Sequence, residues 1–170
     1  KKIDIKKIEK KIKLKISQGQ KFIEYSEQGI SYLREISKYI KRHNGGLLII
    51  DYGYNNKKMK NTLKGFFNHK FANILDNIGS TDITHNINFN LFRKIVKQIG
   101  GLKNNLTTQN KFLIRMGIKK RAEIISRNKS FLAKADIYYR LNRLIDEKHM
   151  GKIFKVMLVQ KKMNKSKLGF

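Results

Sequence analysis

Two short polar stretches carry most of the side chains in this sequence that could do chemistry. The first is Asp51-Tyr52-Gly53-Tyr54, which follows directly on the apolar run Leu47-Leu48-Ile49-Ile50. The second is Asp82-Ile83-Thr84, followed by His85. A carboxylate at the carboxyl end of a buried strand sits where open α/β sheets place their ligand crevice. Asp51 has that address, although a turn or cap role reads equally well there. Tyr52, Gly53 and Tyr54 either line such a crevice or pack beside it. Asp82 to Thr84 reads as a substrate contact or as a local turn or N-cap. His69 and His85 are either general bases or structural and exposed imidazoles. Gln109, at the start of a helical stretch, is a cap or a crevice contact.

Other chemistries drop out. The chain has no Cys, so disulfide scaffolds, thiolate metal sites and cysteine nucleophiles are excluded. No His/Asp/Glu spacing resembles a zinc site. The composition, 40% hydrophobic and 30% charged, is that of a globular chain with its own core. The apolar runs are strand-sized, and Lys1 to Ser17 interleaves Lys with Ile rather than forming a signal peptide. This suits a bacterial cytoplasm. The first residue is Lys, from which we expect further sequence upstream. The net charge of +27 invites a nucleic-acid reading. Yet Lys, Asn and Ile, all with A/T-rich codons, are abundant together, and Lys is spread over the whole length. A solvated Lys-rich surface is the preferred expectation, with a basic nucleic-acid-binding module as an alternative.

The elements that must position these residues follow from periodicity. Ile12, Leu14 and Ile16 alternate with Lys as in a strand, Gln18 to Gln20 reads as a turn, and Phe22 to Tyr25 as the returning strand. Ser26 caps a helix from about Glu27 to His43, which Asn44-Gly45-Gly46 ends. Leu47 to Ile50 reads as a central strand of a parallel sheet with both faces buried. Thr62 to His69 is read as a strand and Gly79 to Thr84 as a loop. Helices are expected over Asn90 to Ile99, Gln109 to Met116, Ala122 to Ser126 and Phe131 to Ile145. A turn at Met150-Gly151 precedes a final strand, Ile153 to Val159. One domain then covers 1–160, followed by a frayed basic tail, 161–170.

Several of these segments together resemble one family. Gly45-Gly46 through Tyr54, Thr62-Leu63 with His69, and Gly79 with Asp82-Ile83-Thr84 and Phe89 are similar, in order and spacing, to segments of MidA-type S-adenosylmethionine-dependent methyltransferases. These are also known as mitochondrial complex I assembly-factor methyltransferases. Gln109 with Phe112-Leu113, Gly117-Ile118 and Arg121, and Met150-Gly151 with Phe154-Lys155-Val156, continue the match. Asn61 and Asn88 stand where the family commonly has Asp, and Glu27 where it has Pro.

The resemblance implies an α/β fold: the C-terminal part of a class I, Rossmann-like methyltransferase sheet with helical additions. It implies S-adenosylmethionine as cofactor, a protein arginine as acceptor with Asp51, Asp82 and His69 as the catalytic set, and a complex I subunit as substrate. For a eukaryotic chain it also implies the mitochondrial matrix. Tyr52, Gly53, Tyr54, Thr84 and Gln109 would line the substrate crevice. The family's Gly-rich cofactor loop has no counterpart, since no Gly-x-Gly occurs here. The expected partner is therefore the missing N-terminal half or an upstream polypeptide. Alone, the chain would be inactive, or would be a remnant of a split gene.

Overall fold

The computed structural model describes residues 4–165 and 168–170. The chain opens with helix α1 (Ile5–Ile12), where a strand pair was expected. Ile5, Ile8 and Ile12 recur at three and four residues, so the helical period competes with the twofold alternation of Ile12, Leu14 and Ile16. The Asp4 carboxylate decides the matter by accepting from Lys7 N at 3.1 Å as an N-cap. Lys13, in the left-handed conformation, closes the helix. Phe22 to Tyr25 forms no strand.

Helix α2 (Glu27–His43) runs as expected, with the Ser26 hydroxyl accepting from Gly29 N. Strand β1 (Gly46–Tyr54) follows. Then come β2 (Lys64–Phe67), β3 (Lys70–Ala72), β4 (Asp82–Thr84) and β5 (Ile87–Asn88). Helix α3 (Phe89–Ile99) leads to β6 (Leu102–Thr108). Helices α4 (Gln109–Arg115), α5 (Ile118–Ser126), α6 (Phe131–Ile145) and α7 (Met150–Ile153) precede the last strand, β7 (Phe154–Lys161).

Two sheets result. The larger has the order β5-β1-β7-β6, and the smaller, antiparallel one has the order β3-β2-β4. β1 is not the centre of a parallel array. It pairs antiparallel with β7 from Gly46 to Tyr52, and parallel with β5 only at Gly53 and Tyr54. Among the described residues, the other edge of β1 from Gly46 to Tyr52 has no strand beside it.

Nor are both faces of β1 buried. Leu47 and Ile49 pack on the core, whereas Leu48 and Ile50 are 46% and 47% exposed. The core lies on the helical side, where Ile12, Leu33, Phe89, Ile95, Met157 and Val159 close on one another. β6 was missed in the sequence because two Asn and two Thr give an edge strand little apolar alternation. The C-terminal end is docked rather than frayed: the Phe170 and Phe112 rings lie 5.5 Å apart. Gly169 is buried, with Phe112 where a Cβ would stand.

Candidate functional site

A cavity of about 510 Å³ opens at the carboxyl end of β1. Asp51 forms part of its wall, together with the extended segment before α2, Leu63, and the turn from His85 to Asn88 that joins the two sheets. Its apolar surfaces come from Phe22, Ile23, Leu63 and Phe92. Its polar lining residues include Glu24, Ser26, Asp51, His85, Asn86 and Asn88, so two acidic residues line a largely apolar space.

Glu24 organises the cavity wall. One carboxylate oxygen accepts from Thr62 N at 2.6 Å and the other from Thr62 Oγ1 at 2.7 Å. Thr62 Oγ1 in turn accepts from Asn86 N at 2.9 Å. Three segments far apart in sequence are thereby tied through one buried threonine. Hydrogen bonds to a charged acceptor each contribute about 1.5–3 kcal/mol where shielded from water. Asp51 Oδ1 accepts from Tyr52 N at 2.7 Å, which fixes the side chain beside the strand end.

The glycine in the Asp51-Tyr52-Gly53 motif has a steric cause. A Cβ at Gly53 would stand 2.5 Å from the Phe89 ring and 2.6 Å from the Ile87 carbonyl oxygen. Only glycine lets β5 and the start of α3 cross the strand this closely. Tyr54 is buried beside it, its hydroxyl accepting from Lys60 N at 3.2 Å, and burial pushes its phenol above the ordinary range. Asn88, where the related family has Asp, caps α3 by accepting from Leu91 N. The amide does this as well as a carboxylate would.

The remaining expected site residues disperse. Tyr52 points to the face opposite Asp51, by the alternation of the strand, and its ring lies 4.1 Å from that of Phe154. His69 sits with Asn68 in a two-residue hairpin turn between β2 and β3, both at positive φ, exposed and away from the cavity. Asp82 and Thr84 are ladder residues of β4, paired with Phe66 and Lys64. They deliver His85 and Asn86 to the cavity without lining it. Gln109 is buried in the helical group, where Nε2 donates to Leu144 O at 2.9 Å at the end of α6. In the segment 79–84, expected as a loop, residues 79–81 are turn and 82–84 form β4, and Met150-Gly151 begins α7 rather than a turn.

Glu24 was missed because its segment read as a strand, and nothing local announces that Thr62 and Asn86 meet it. Among the described residues no three His, Asp or Glu side chains group as metal ligands, and no helix is long and apolar enough to cross a membrane. Gly45, Gly100 and Gly101, at positive φ, serve helix exits rather than a cradle after a strand.

Comparison with known proteins agrees with this geometry. Residues 2–107 match the model of a family described as "Putative S-adenosyl-L-methionine-dependent methyltransferase". The protein arginine methyltransferase NDUFAF7, mitochondrial, of Xenopus tropicalis is 30% identical over 128 residues, covering 75% of this chain and 29% of the frog protein. The Homo sapiens protein of the same name is 28% identical, over 72% of this chain and 27% of its own length. This chain thus spans under a third of these relatives. A Burkholderia thailandensis structure bound to S-adenosyl-homocysteine superposes with a TM-score of 0.70 at 22% identity, over 86% of this chain and 39% of that one. The likeness in structure is one of fold, and the family match covers more than half of the sequence. The chain belongs to this family of S-adenosyl-L-methionine-dependent methyltransferases.

Proposed function

We propose that this chain supplies the acceptor side of a methyltransferase, and that the acceptor is a cationic side chain of a protein, an arginine guanidinium. The supporting observation is the placement of Asp51 and Glu24 on one cavity with apolar walls. A guanidinium offers planar donors that two carboxylates can hold and orient, and the apolar walls exclude competing water. The sulfonium of S-adenosylmethionine is already activated, so alignment of the acceptor is the main task left to the protein. In this reading Asp51 holds the acceptor nitrogen at the strand end. Glu24, already clamped by Thr62, shapes the wall and contributes negative potential.

The cofactor-binding part then comes from sequence outside these residues. The open edge of β1 and the apolar side chains Leu48 and Ile50 are the surface against which it would continue the sheet. The two named relatives are mitochondrial proteins, which supports a mitochondrial location over a bacterial cytoplasmic one; a complex I subunit as substrate is what the family resemblance implies.

The test is reconstitution of this chain with the N-terminal part of a relative. Methyl transfer from labelled S-adenosylmethionine to an arginine-bearing subunit is then measured. Transfer should appear only in the mixture, and Asp51→Asn should lower it by at least about a hundredfold. Saturable binding of S-adenosylmethionine to residues 1–170 alone would contradict the division of labour. Full activity of Asp51→Asn would remove the assigned role.

A further inference from the structure

The charge of this chain is not distributed evenly once it is folded. The sequence contains no Asp or Glu from residue 83 to 122, or from 148 to 170. α3, β6 and α4 fall in the first stretch and β7 in the second, and the fold packs them together. Two adjoining clefts follow β6, one of about 510 Å³ against α3 and one of about 460 Å³ toward α4, and share Arg93 and Asn104. Lys94, Lys97, Lys103 and Lys162 line the first, and Lys111 and Arg115 the second. Among the described residues no Asp or Glu side chain lines either cleft. Arg93 is held in place, its Nε donating to Asn104 Oδ1 at 2.8 Å. The floor adds Asn105 and Thr107, which can donate to oxygen, and Phe170 offers an aromatic ring at one end.

The basic hollow on the far side of α2 shows what an ordinary use of such cations looks like. There Arg34 donates to the Lys11 and Ile12 carbonyls at the end of α1, and Lys41 to the Ile99 carbonyl. Lys11 is paired with Glu27. Those cations finish helix ends, and one is paired with an acid; in the α3–β6 groove Lys103 likewise donates to the Asn164 carbonyl, but among the described residues no cation of the lining is paired with an Asp or Glu.

We propose that the groove between α3 and β6 binds the sugar–phosphate backbone of a single-stranded nucleic acid. A row of cations along a cleft, with amide and hydroxyl donors on its floor and an aromatic at its mouth, matches a flexible polyanion that repeats its charge. The cations line a recess beside a strand edge, and a flexible single strand can follow such a recess and stack a base on a ring at its end. A membrane surface would instead be met by a flat or convex patch with apolar side chains inserting. The groove is distinct from the Asp51 cavity, so this binding is independent of the methyl-transfer reading.

The test uses the full 170-residue chain and fluorescein-labelled oligo(U) and oligo(dT) of about twelve nucleotides, read by anisotropy between 50 and 200 mM salt. Two triple variants remove the same charge: K94Q/K97Q/K162Q in the groove and K10Q/K38Q/K129Q elsewhere, all at exposed positions. Far-ultraviolet circular dichroism confirms that each is folded. The groove variant should bind at least about tenfold more weakly, and its slope of log affinity against log salt should be shallower by about two units. The control variant should stay within about twofold of the parent. Equal losses in both variants would show diffuse charge and overturn the proposal. No binding at low salt would also overturn it, as would tighter binding to phosphatidylserine vesicles than to either oligonucleotide.

Discussion

The two faces of β1 are made of the same kinds of residue and have opposite fates. On one, Leu47 and Ile49 close on a core that includes Phe89, Ile95 and Met157, and the glycine at 53 lets α3 press against the strand. On the other, Leu48 and Ile50 stand half in water and Tyr52 leans on Phe154. An unbroken apolar run is a sequence built for burial on both sides. The difference teaches that these residues cover one side only; under the proposed function, the pattern on the second side is matched to a surface outside them. The covered face should therefore be sensitive to every change of volume and the open face tolerant.

The largest effect is expected on the covered face at its tightest point. Gly53→Val places a branched side chain where a single Cβ already falls 2.5 Å from the Phe89 ring. The backbone carbonyl of Ile87 blocks the alternative direction. A loss of about 4 kcal/mol or more is expected, beyond the usual range of single substitutions. It is read as a melting temperature lower by about 10 °C. A variant that melts within a few degrees of the parent would mean that β5 does not pair with β1 in solution.

Next comes Ile95→Ala, at a fully buried position of α3 under the same strand. Removing three carbons there should cost about 2–5 kcal/mol in a denaturant titration, with the slope unchanged. Smaller again is Thr62→Val, which keeps the shape and deletes the hydroxyl that links Glu24 to Asn86 N. About 1–3 kcal/mol should go, because the partner groups are left half-satisfied. Thr62→Ser, which retains the oxygen, should recover most of it. If Val and Ser behave alike, the network is not holding the cavity wall.

How far the sequence disclosed this arrangement depends on the range over which each feature is determined. Helix α2 was legible because Ser26, the spacing of Ile30, Leu33 and Ile40, and Asn44-Gly45 all act within one element. The carboxyl end of β1 was legible for the same reason, and Asp51 lines a cavity there. At the amino end, alternation in Ile12 to Ile16 outweighed the Asp4 cap and the helical recurrence of Ile, and a strand was read where α1 stands. β6 was invisible because only Leu102 and Leu106 of its seven residues are apolar, too few to show an alternation, although both pack on the core. The dispersal of His69, Asp82 and Gln109 could not be read either. Motif order says which segments belong together but not which way a ladder residue points. Glu24 was out of reach for the same reason, since its partners lie 38 residues and more away.

The smallest effect is expected on the open face, and it sharpens the comparison most. Ile50→Thr replaces an apolar side chain that is 47% exposed. Threonine keeps the β-branch that suits a strand, so the stability of the chain alone should change by no more than about 0.5 kcal/mol. Solubility should rise, because an apolar stripe beside an unpaired strand edge is a template for self-association. Light scattering of concentrated samples measures this directly. The same substitution should behave differently in a preparation that includes the rest of the methyltransferase. If the proposed cofactor-binding part seats on Leu48 and Ile50, threonine leaves a buried hydroxyl without a partner and weakens the association by about 1–3 kcal/mol, a roughly five- to 150-fold loss of affinity. Ile49→Thr, one residue away on the covered face, should destabilise the chain with or without that partner. Should Ile50→Thr destabilise the chain alone as much as Ile49→Thr does, the open face is already covered by these residues, and the division between the two sides of β1 fails.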